Sequence, residues 1–207
     1  MLVSALLSRV ADVMLDPGHV RWPQAEVLRY ASDGQRLIAA HKPDALGTEL
    51  PMTAVAGAKQ TLPAGAESLL DVRGATLIAR ETLDRFAPAW ESDTAGPIAH
   101  YMHDLRNPRQ FLVYPPAVAG ATLTLVCVAA PDDLTETTDS LAVRDPYVPA
   151  LTDYIAFRCY VKDSDDTLNQ QRAAFHLELV GQALGVKLEM SRVFGPKANS
   201  APRDGLK

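Results

Sequence analysis

The sequence contains almost no cysteine. Its only two cysteines, Cys127 and Cys159, each lie within an apolar run, "TLTLVCVAA" and "DYIAFRCYV". Because free cysteine is among the most frequently buried residue types, we interpret both as buried small hydrophobic residues. A disulfide bond between them is not expected in a chain that is made and kept in a reducing cytosol.

The sequence also lacks long apolar runs and an excess of positive charge. No segment approaches the ~18 consecutive apolar residues of a membrane-spanning helix, so no membrane partner is expected. In the opening "MLVSALLSRVADVMLD" the charged residues follow the apolar ones and no small-residue cleavage site comes next, so we do not expect a signal peptide. The formal net charge of −5 argues against a nucleic-acid-binding surface spread over the whole molecule.

This charge is unevenly distributed along the chain. Five basic and two acidic residues lie between Gly185 and Lys207, a net charge of +3, which leaves −8 on residues 1–184. The same segment is rich in Pro, Gly, Ser and Lys and has little hydrophobic periodicity. We therefore expect residues 186–207 to form a flexible basic tail.

Common catalytic and cofactor-binding motifs are absent. There is no Gly-x-Gly-x-x-Gly, P-loop or Gly-x-Ser-x-Gly pattern, and the scattered carboxylates lack the spacing of a Ca²⁺ loop. His100 and His103, in "HYMHD", would point to opposite faces of a strand and have no ligand partner at a fixed spacing. We therefore predict no catalytic, metal or cofactor site.

Two helix pairs are predicted, one at each end of the chain. The first pair covers residues 2–15 and the segment that follows Trp22, which ends before Pro43. Gly34 in mid-helix costs up to about 1 kcal/mol relative to Ala, so we interpret it as a point of close packing where the first or last helix crosses. The apolar stripe predicted for the first helix is Leu2, Leu6, Val10 and Val13.

The second pair reads "PYVPALTDYIAFRCYVKDSDD" and "TLNQQRAAFHLELVGQALG". Asp166 or Thr167 is predicted to cap the last helix, and Gly185 to end it. Its predicted apolar and aromatic positions are Leu168, Ala173, Phe175, His176, Leu179, Val180 and Leu184.

Short strands separated by turn residues fill the middle of the chain and predict a small antiparallel sheet or sandwich. In "RNPRQFLVYPPA", residues 106–117, Phe111 and Val113 are expected on one face and Leu112 and Tyr114 on the other. Pro115-Pro116 is expected to end this strand and to protect its edge from further pairing, because proline donates no backbone hydrogen bond.

The predicted fold is therefore α+β. The N-terminal helix pair (1–48) and the C-terminal helices (131–185) would form an antiparallel helical bundle, with an inserted antiparallel β module (49–130) and a flexible tail (186–207).

Three segments in this order resemble the phage head–tail adaptor, or connector, proteins of short-tailed phages. They are the opening "LLSRVADVMLDPGHVRWPQAEVLRYASDGQRLIAAHKPDA", the middle "RNPRQFLVYPPA" and the closing "DPYVPALTDYIAFRCYVKDSDDTLNQQRAAFHLELVGQAL". The resemblance covers most of residues 2–184.

This resemblance implies a structural virion protein, made in the host bacterial cytoplasm and located at the head–tail junction. Its copies, usually twelve, would form a ring beneath the portal protein, extend the DNA channel and provide a platform for the tail nozzle. Genomic double-stranded DNA would pass through the lumen without sequence-specific binding. The resemblance implies no catalysed reaction and no cofactor.

Charge and position, rather than a family motif, suggest that the tail contacts the portal. The expected contact residues are Lys187, Arg192, Phe194, Lys197 and Arg203.

Two other classes of function remain open on the sequence alone. One is a tail-associated hydrolase of envelope polysaccharide, which needs paired carboxylates in a cleft. The other is a soluble binding module unrelated to phage.

Overall fold

The computed structural model describes residues 1–103, 106–163 and 166–189. In these ranges the chain is α+β, with five α-helices and seven strands in two sheets. The helices are α1 (Val3–Met14), α2 (Gln24–His41), α3 (Arg80–Phe86), α4 (Val148–Lys162) and α5 (Thr167–Leu184). The strands are β1 (Gly47–Thr53), β2 (Gly57–Thr61), β3 (Ala66–Val72), β4 (Thr76–Leu77), β5 (His100–His103), β6 (Gln110–Ala117) and β7 (Thr122–Ala129).

The chain divides into two compact units. The helical unit consists of Met1–His41 together with the described residues from Asp133 onward, and the β unit consists of Lys42–Asp132.

In the helical unit, α1 buries a face that differs from the predicted stripe. Leu6 and Val10 are buried as predicted, but Leu2 and Val13 are 52% and 43% exposed. The prediction failed because each step of four residues rotates about 40° beyond a full turn, so a stripe built mainly on such steps drifts off the face. The buried positions, which combine spacings of three and four residues, are Val3, Leu6, Leu7, Val10 and Ala11.

The predicted close contact at Gly34 of α2 is confirmed, and its partner is α4 rather than the first or the last helix. A Cβ atom placed at Gly34 would lie 2.5 Å from Leu151 Cδ1 and 2.7 Å from Tyr154 Cδ1. α4 packs against α1, α2 and α5, and nine of its fifteen residues are buried, including Cys159, which is 0% exposed.

The segment that leads into α4 is fixed to α2 by two buried polar side chains. Ser32 Oγ accepts a hydrogen bond from the Leu134 N–H at 2.9 Å. Gln35 Oε1 accepts from the N–H groups of Ala142 and Val143 at 2.7 and 3.3 Å. Backbone groups in this irregular segment thereby find acceptors inside the helical unit, as buried polar groups must.

Both predicted boundaries of α5 are confirmed. The Asp166 side chain accepts a hydrogen bond from the Leu168 N–H, which is the usual N-cap interaction. Gly185 adopts the left-handed conformation with φ 65° and ends the helix, a conformation that glycine tolerates without a Cβ clash.

The β unit contains two sheets, ordered β1-β7-β3 and β2-β6-β5-β4. Every neighbouring pair is antiparallel except β4 and β5, which are parallel. The prediction of an antiparallel module is therefore wrong at this one pair. The chain between β4 and β5 includes α3 and is long enough for the crossover that a parallel pair requires.

A single core lies between the two sheets. Leu69 of β3 and Leu125 and Cys127 of β7 point into it from the first sheet, and Tyr101 of β5 and Phe111 of β6 enter it from the second. The arrangement is a small sandwich.

The middle strand β6 confirms one part of its prediction and contradicts another. Phe111 and Val113 lie in the core between the sheets, whereas Leu112 and Tyr114 pack on the opposite face against Trp90 and its neighbours. Its side chains therefore alternate as predicted.

The two prolines, however, do not end β6. The strand continues to Ala117, which pairs with Gly57 after an irregularity in the register with β2. Pro116 cannot donate a hydrogen bond, but its carbonyl accepts one from the Gly96 N–H at 3.0 Å, so the backbone stays paired. Because β6 lies between β2 and β5, these prolines do not protect an edge. The Tyr114–Pro115 peptide bond is cis.

Candidate interaction surfaces

Within 1–103, 106–163 and 166–189, no three His, Cys, Asp or Glu side chains are grouped so that they could hold a metal ion. His100 lies on β5 with its ring stacked on that of Tyr114.

No helix among the described residues has the length and apolar character needed to cross a membrane.

Several aromatic and charged side chains join α2 to α4. Arg158 of α4 lies over the Tyr30 ring at 4.7 Å from its centroid and binds Asp33 Oδ2 at 3.1 Å. Lys162 binds Glu26 at 2.7 Å, and the Tyr30 hydroxyl donates to the same carboxylate. Burial and this hydrogen bond raise the pKa of Tyr30. These residues are therefore occupied within the helical unit.

A different group of side chains lies on the surface where α4 meets α5. His176 Nδ1 is 2.9 Å from Asp153 Oδ1, and the His176 ring stacks on that of Tyr160. The Arg172 guanidinium lies over the Tyr160 ring, 5.6 Å from its centroid. Phe175 contacts the edge of His176 and is 58% exposed.

Three residues of α5 point outward beside this cluster, and we call them the α5 patch: Leu168, Arg172 and Phe175. Leu168 is 48% exposed, so it and Phe175 are not the core positions that the sequence predicted. The residues that α5 buries are Asn169, Ala173, Leu177, Val180, Gly181 and Leu184. Of the predicted positions, Ala173, Val180 and Leu184 are buried, and the inner face is completed by Asn169, Leu177 and Gly181, which the prediction did not include.

The loop between α1 and α2 presents two more exposed apolar side chains, and we call Leu15 and Val20 the α1–α2 tip. Each is 88% exposed. The Asp16 carboxylate lies beneath them and accepts hydrogen bonds from the N–H groups of Val20, Arg21 and Trp22, each at 2.9 Å. These backbone donors, with Trp22 the strongest, lower the pKa of Asp16. Sequence reasoning missed this surface because the residues between the first helix and Trp22 were treated only as the connection between two helices.

The chain leaves α5 by turning back against it. The Val186 N–H binds the Gly181 carbonyl at 2.9 Å, and a Cβ atom at Gly181 would lie 2.7 Å from the Val186 carbonyl oxygen. Residues of α5 and of this returning segment line a hollow of about 560 Å³. Gly181 is thus the close-contact point that allows the turn.

Of the residues predicted to contact the portal, only Lys187 lies within the described part of the chain. Its side chain is 87% exposed and its Nζ is 3.4 Å from Glu189 Oε1. Arg192, Phe194, Lys197 and Arg203, together with the rest of the predicted flexible tail from residue 190 onward, lie outside the described residues.

A cleft of about 960 Å³ lies on the β2-β6-β5 face of the β unit. Glu81 and Glu91 are on its rim, and Glu91 Oε1 is 3.4 Å from Arg80 Nη2. A glycosidase needs two carboxylates held at a set separation on either side of the scissile bond, whereas Glu91 lies in an ion pair with Arg80. The cleft therefore offers no specific support for the polysaccharide-hydrolase alternative.

Comparison with known families gives one finding. The sequence model of the family described as "SU10 adaptor protein" matches residues 1–200. A comparison with individually curated proteins finds no match.

Proposed function

The chain belongs to the SU10 adaptor protein family, and from this premise we propose that it is a ring-forming subunit of the head–tail junction of a phage virion. The observation that carries this proposal is the family match over residues 1–200, which includes both units. The match also confirms the resemblance to phage head–tail adaptors. In this role the chain is a structural part of the virion and catalyses no reaction.

We propose twelve copies, placed between the portal protein and the tail nozzle. A closed ring of identical subunits needs a head-to-tail contact, in which one flank of each copy meets a different flank of the next. The two exposed apolar surfaces of the helical unit, the α1–α2 tip and the α5 patch, support this part of the proposal because they are chemically different from each other.

The charge distribution supports a channel through which DNA slides. Each phosphate that a protein neutralises adds affinity for DNA, so a strongly basic lumen would hold the genome. Residues 1–184 carry a net charge of −8, which suits passage of DNA without tight binding.

We propose that the tail after Gly185 binds the portal, with contacts from Lys187, Arg192, Phe194, Lys197 and Arg203. Its net charge of +3 and its lack of hydrophobic periodicity are typical of segments that fold on a partner. Two truncations test this assignment. Removal of residues 190–207 keeps the Val186–Gly181 hydrogen bond, whereas removal of 186–207 also deletes that contact.

Both truncations are expected to reduce binding to purified portal protein, and binding that stays undiminished in both would refute the tail assignment. A variant with Arg192, Lys197 and Arg203 changed to Gln keeps the chain length and serves as the matched test of charge. If only the longer truncation weakens binding, the cause is the loss of the turn against α5.

Electron microscopy tests the proposed function as a whole. Images of virions, or of the chain mixed with portal protein, are expected to show twelvefold density at the head–tail junction that is absent without the chain. A virion that lacks this chain at the junction would contradict the proposal. A free chain that is monomeric would not, because ring formation is proposed to occur on the portal.

A further inference from the structure

The helical unit exposes apolar side chains in two places at the same end. The Lys162–Glu26 ion pair places the last turn of α4 beside the first turn of α2, close to the α1–α2 tip. α5 begins only a few residues after α4 ends, and Leu168 and Phe175 lie in its first three turns. The tip and the α5 patch therefore lie at similar heights along α4.

These two surfaces lie on opposite sides of α4. Leu151, Tyr154 and Arg158 face α2, whereas Asp153 and Tyr160 face α5. With about 3.6 residues per turn, the two sets are roughly 140° apart around the α4 axis. The α1–α2 tip is joined to α2, and the α5 patch lies on the side of α5 that faces away from its buried residues.

The α1–α2 tip has a fixed shape. Leu15 and His19 adopt left-handed backbone conformations, with φ of 53° and 50°, which non-glycine residues rarely adopt. The Asp16 carboxylate holds the loop through three backbone hydrogen bonds, and Trp22 fixes its end with only 5% of its surface exposed. A rigid apolar projection loses little conformational entropy when it binds.

An acidic residue lies beside the α1–α2 tip, and a basic residue is part of the α5 patch. Asp12 is exposed in the last turn of α1, next to the tip, where the helix dipole disfavours a negative side chain. Asp12 therefore does not stabilise α1 through the helix dipole. Arg172 is the cation of the α5 patch and lies over the Tyr160 ring, beside Phe175. Arginine and tyrosine are among the residue types that contribute most of the binding energy at protein interfaces.

We propose that the α1–α2 tip of one copy docks on the α5 patch of a second copy of this chain, with Asp12 facing Arg172. Leu15 and Val20 would pack against Leu168 and Phe175. The contact joins two different surfaces, so it can repeat from copy to copy, and it closes into a ring when the rotation between neighbours divides a full turn. The inference rests on the proposed ring function and assigns that ring its subunit contact.

Cysteine cross-linking in assembled virions tests the contact. The virions are assembled with the full chain carrying Leu15→Cys, Phe175→Cys or both, and treated with a short bis-maleimide. The native Cys127 and Cys159 are 0% exposed and are not expected to react in the folded chain. The double variant is expected to give a ladder of covalent oligomers up to the full ring, and each single variant alone no cross-linked product.

Phe175→Cys combined with Ser4→Cys is the matched control. Ser4 is exposed in the first turn of α1, at the opposite end of this helix from the tip, so this pair is expected to give no ladder. A ladder from the control pair as strong as that from the test pair would overturn the assignment. Dimers from Leu15→Cys alone would also overturn it, because they require two tips to meet.

Charge reversal gives an independent readout. Asp12→Arg and Arg172→Asp are each expected to reduce ring formation on the portal at least several-fold, and the double variant is expected to recover most of it. Failure of the double variant to recover, with both single variants folded by circular dichroism, would contradict the pairing.

Immunoblots of the purified virions separate failure of this contact from failure of the proposed function. If the chain is present and the double-cysteine variant gives no ladder, the tip–patch contact is wrong and the adaptor function stands. If the wild-type chain is absent from virions, the proposed function fails and the contact fails with it.

Discussion

At the scale of single residues, Gly34 shows how packing can outweigh helix propensity. Alanine in place of Gly34 would improve the intrinsic helix propensity by about 1 kcal/mol. The new Cβ, however, would meet Leu151 Cδ1 at 2.5 Å and Tyr154 Cδ1 at 2.7 Å, and both of those side chains are buried. Overpacking of this kind typically costs about 1–3 kcal/mol, so the clash outweighs the gain.

We therefore expect Gly34→Ala to lower the free energy of unfolding of the helical unit by up to about 2 kcal/mol, since overpacking exceeds the propensity gain. Urea unfolding followed by far-ultraviolet circular dichroism measures the change. Arg29→Ala, on the exposed side of the same helix, is the control and should change stability little. A Gly34→Ala protein as stable as the wild type would show that α2 and α4 separate easily.

Glu26 gives the molecule a predictable response to acid. Hydrogen bonds from Lys162 and then from Tyr30 lower the pKa of this carboxyl below its ordinary value of 4.5. A lowered pKa in the folded state means that the contribution of Glu26 to stability is complete above the unfolded pKa and is lost as the pH falls through the folded pKa.

The free energy of unfolding of the wild type should therefore fall more steeply between about pH 5 and pH 3 than that of Glu26→Gln, which does not titrate. Chemical denaturation at a series of pH values measures both slopes. Glu67→Gln, an exposed position in the β unit, should retain the wild-type slope. Parallel slopes for the wild type and Glu26→Gln would mean that the Lys162 and Tyr30 bonds do not favour the ionised form.

At the scale of elements, the prolines show why a residue's local chemistry is not enough to place it. Pro115 and Pro116 suggested the end of an edge strand, but β6 is central and passes through them. The proline that does lie on an edge is Pro51 of β1. Ala54 donates to the Ala121 carbonyl, and because hydrogen-bonded positions alternate along an antiparallel strand, the Pro51 nitrogen points away from β7.

Pro51→Thr is therefore expected to add a hydrogen-bond donor to the open edge of β1 and to promote association between sheets. Light scattering during heating should detect aggregation at a lower temperature than in the wild type. Pro88→Thr, at an exposed loop position, is the control and should behave as the wild type does. Equal scattering by Pro51→Thr and the wild type would show that β1 is protected by something other than its proline.

Helix faces were predicted less well than helix positions, for a physical reason. The boundaries of α5 follow from local chemistry at Asp166 and Gly185, which acts within a few residues. Its buried face depends on which neighbour it packs against, and that neighbour is set by the tertiary fold. Phe175 is the largest apolar side chain of α5 yet is 58% exposed, so a hydrophobic pattern alone assigned it to the core.

At the scale of the whole molecule, the order of elements was predictable and the contacts between distant elements were not. The turn-bounded runs between Glu49 and Ala130 predicted a small antiparallel sheet or a sandwich, and the two-sheet core shows that it is a sandwich. The parallel pairing of β4 with β5 was not predictable, because β4 has only two residues and its partner is decided by the crossover through α3. The tip and patch surfaces also needed the structure, since their exposure depends on how α4 packs between α2 and α5.

The division of the chain into two units leads to a prediction about folding. The β unit, Lys42–Asp132, is one continuous segment that contains both sheets and the core between them. Its first and last strands are neighbours, with Gly47 paired to Val128, so its two ends emerge close together. A segment with its own core and adjacent ends has the properties of an independently folding domain.

We expect the isolated fragment 42–132 to fold, with a β-type circular dichroism spectrum and a cooperative urea transition. Phe111 is 2% exposed in the core between the sheets, and replacing a buried Phe by Ala typically costs about 3–5 kcal/mol. The fragment carrying Phe111→Ala should therefore lose most or all of that transition, whereas Val118→Ala, at an exposed position, should keep it. A fragment without a cooperative transition would mean that the sandwich core is insufficient, and that the β unit depends on the rest of the chain for its stability.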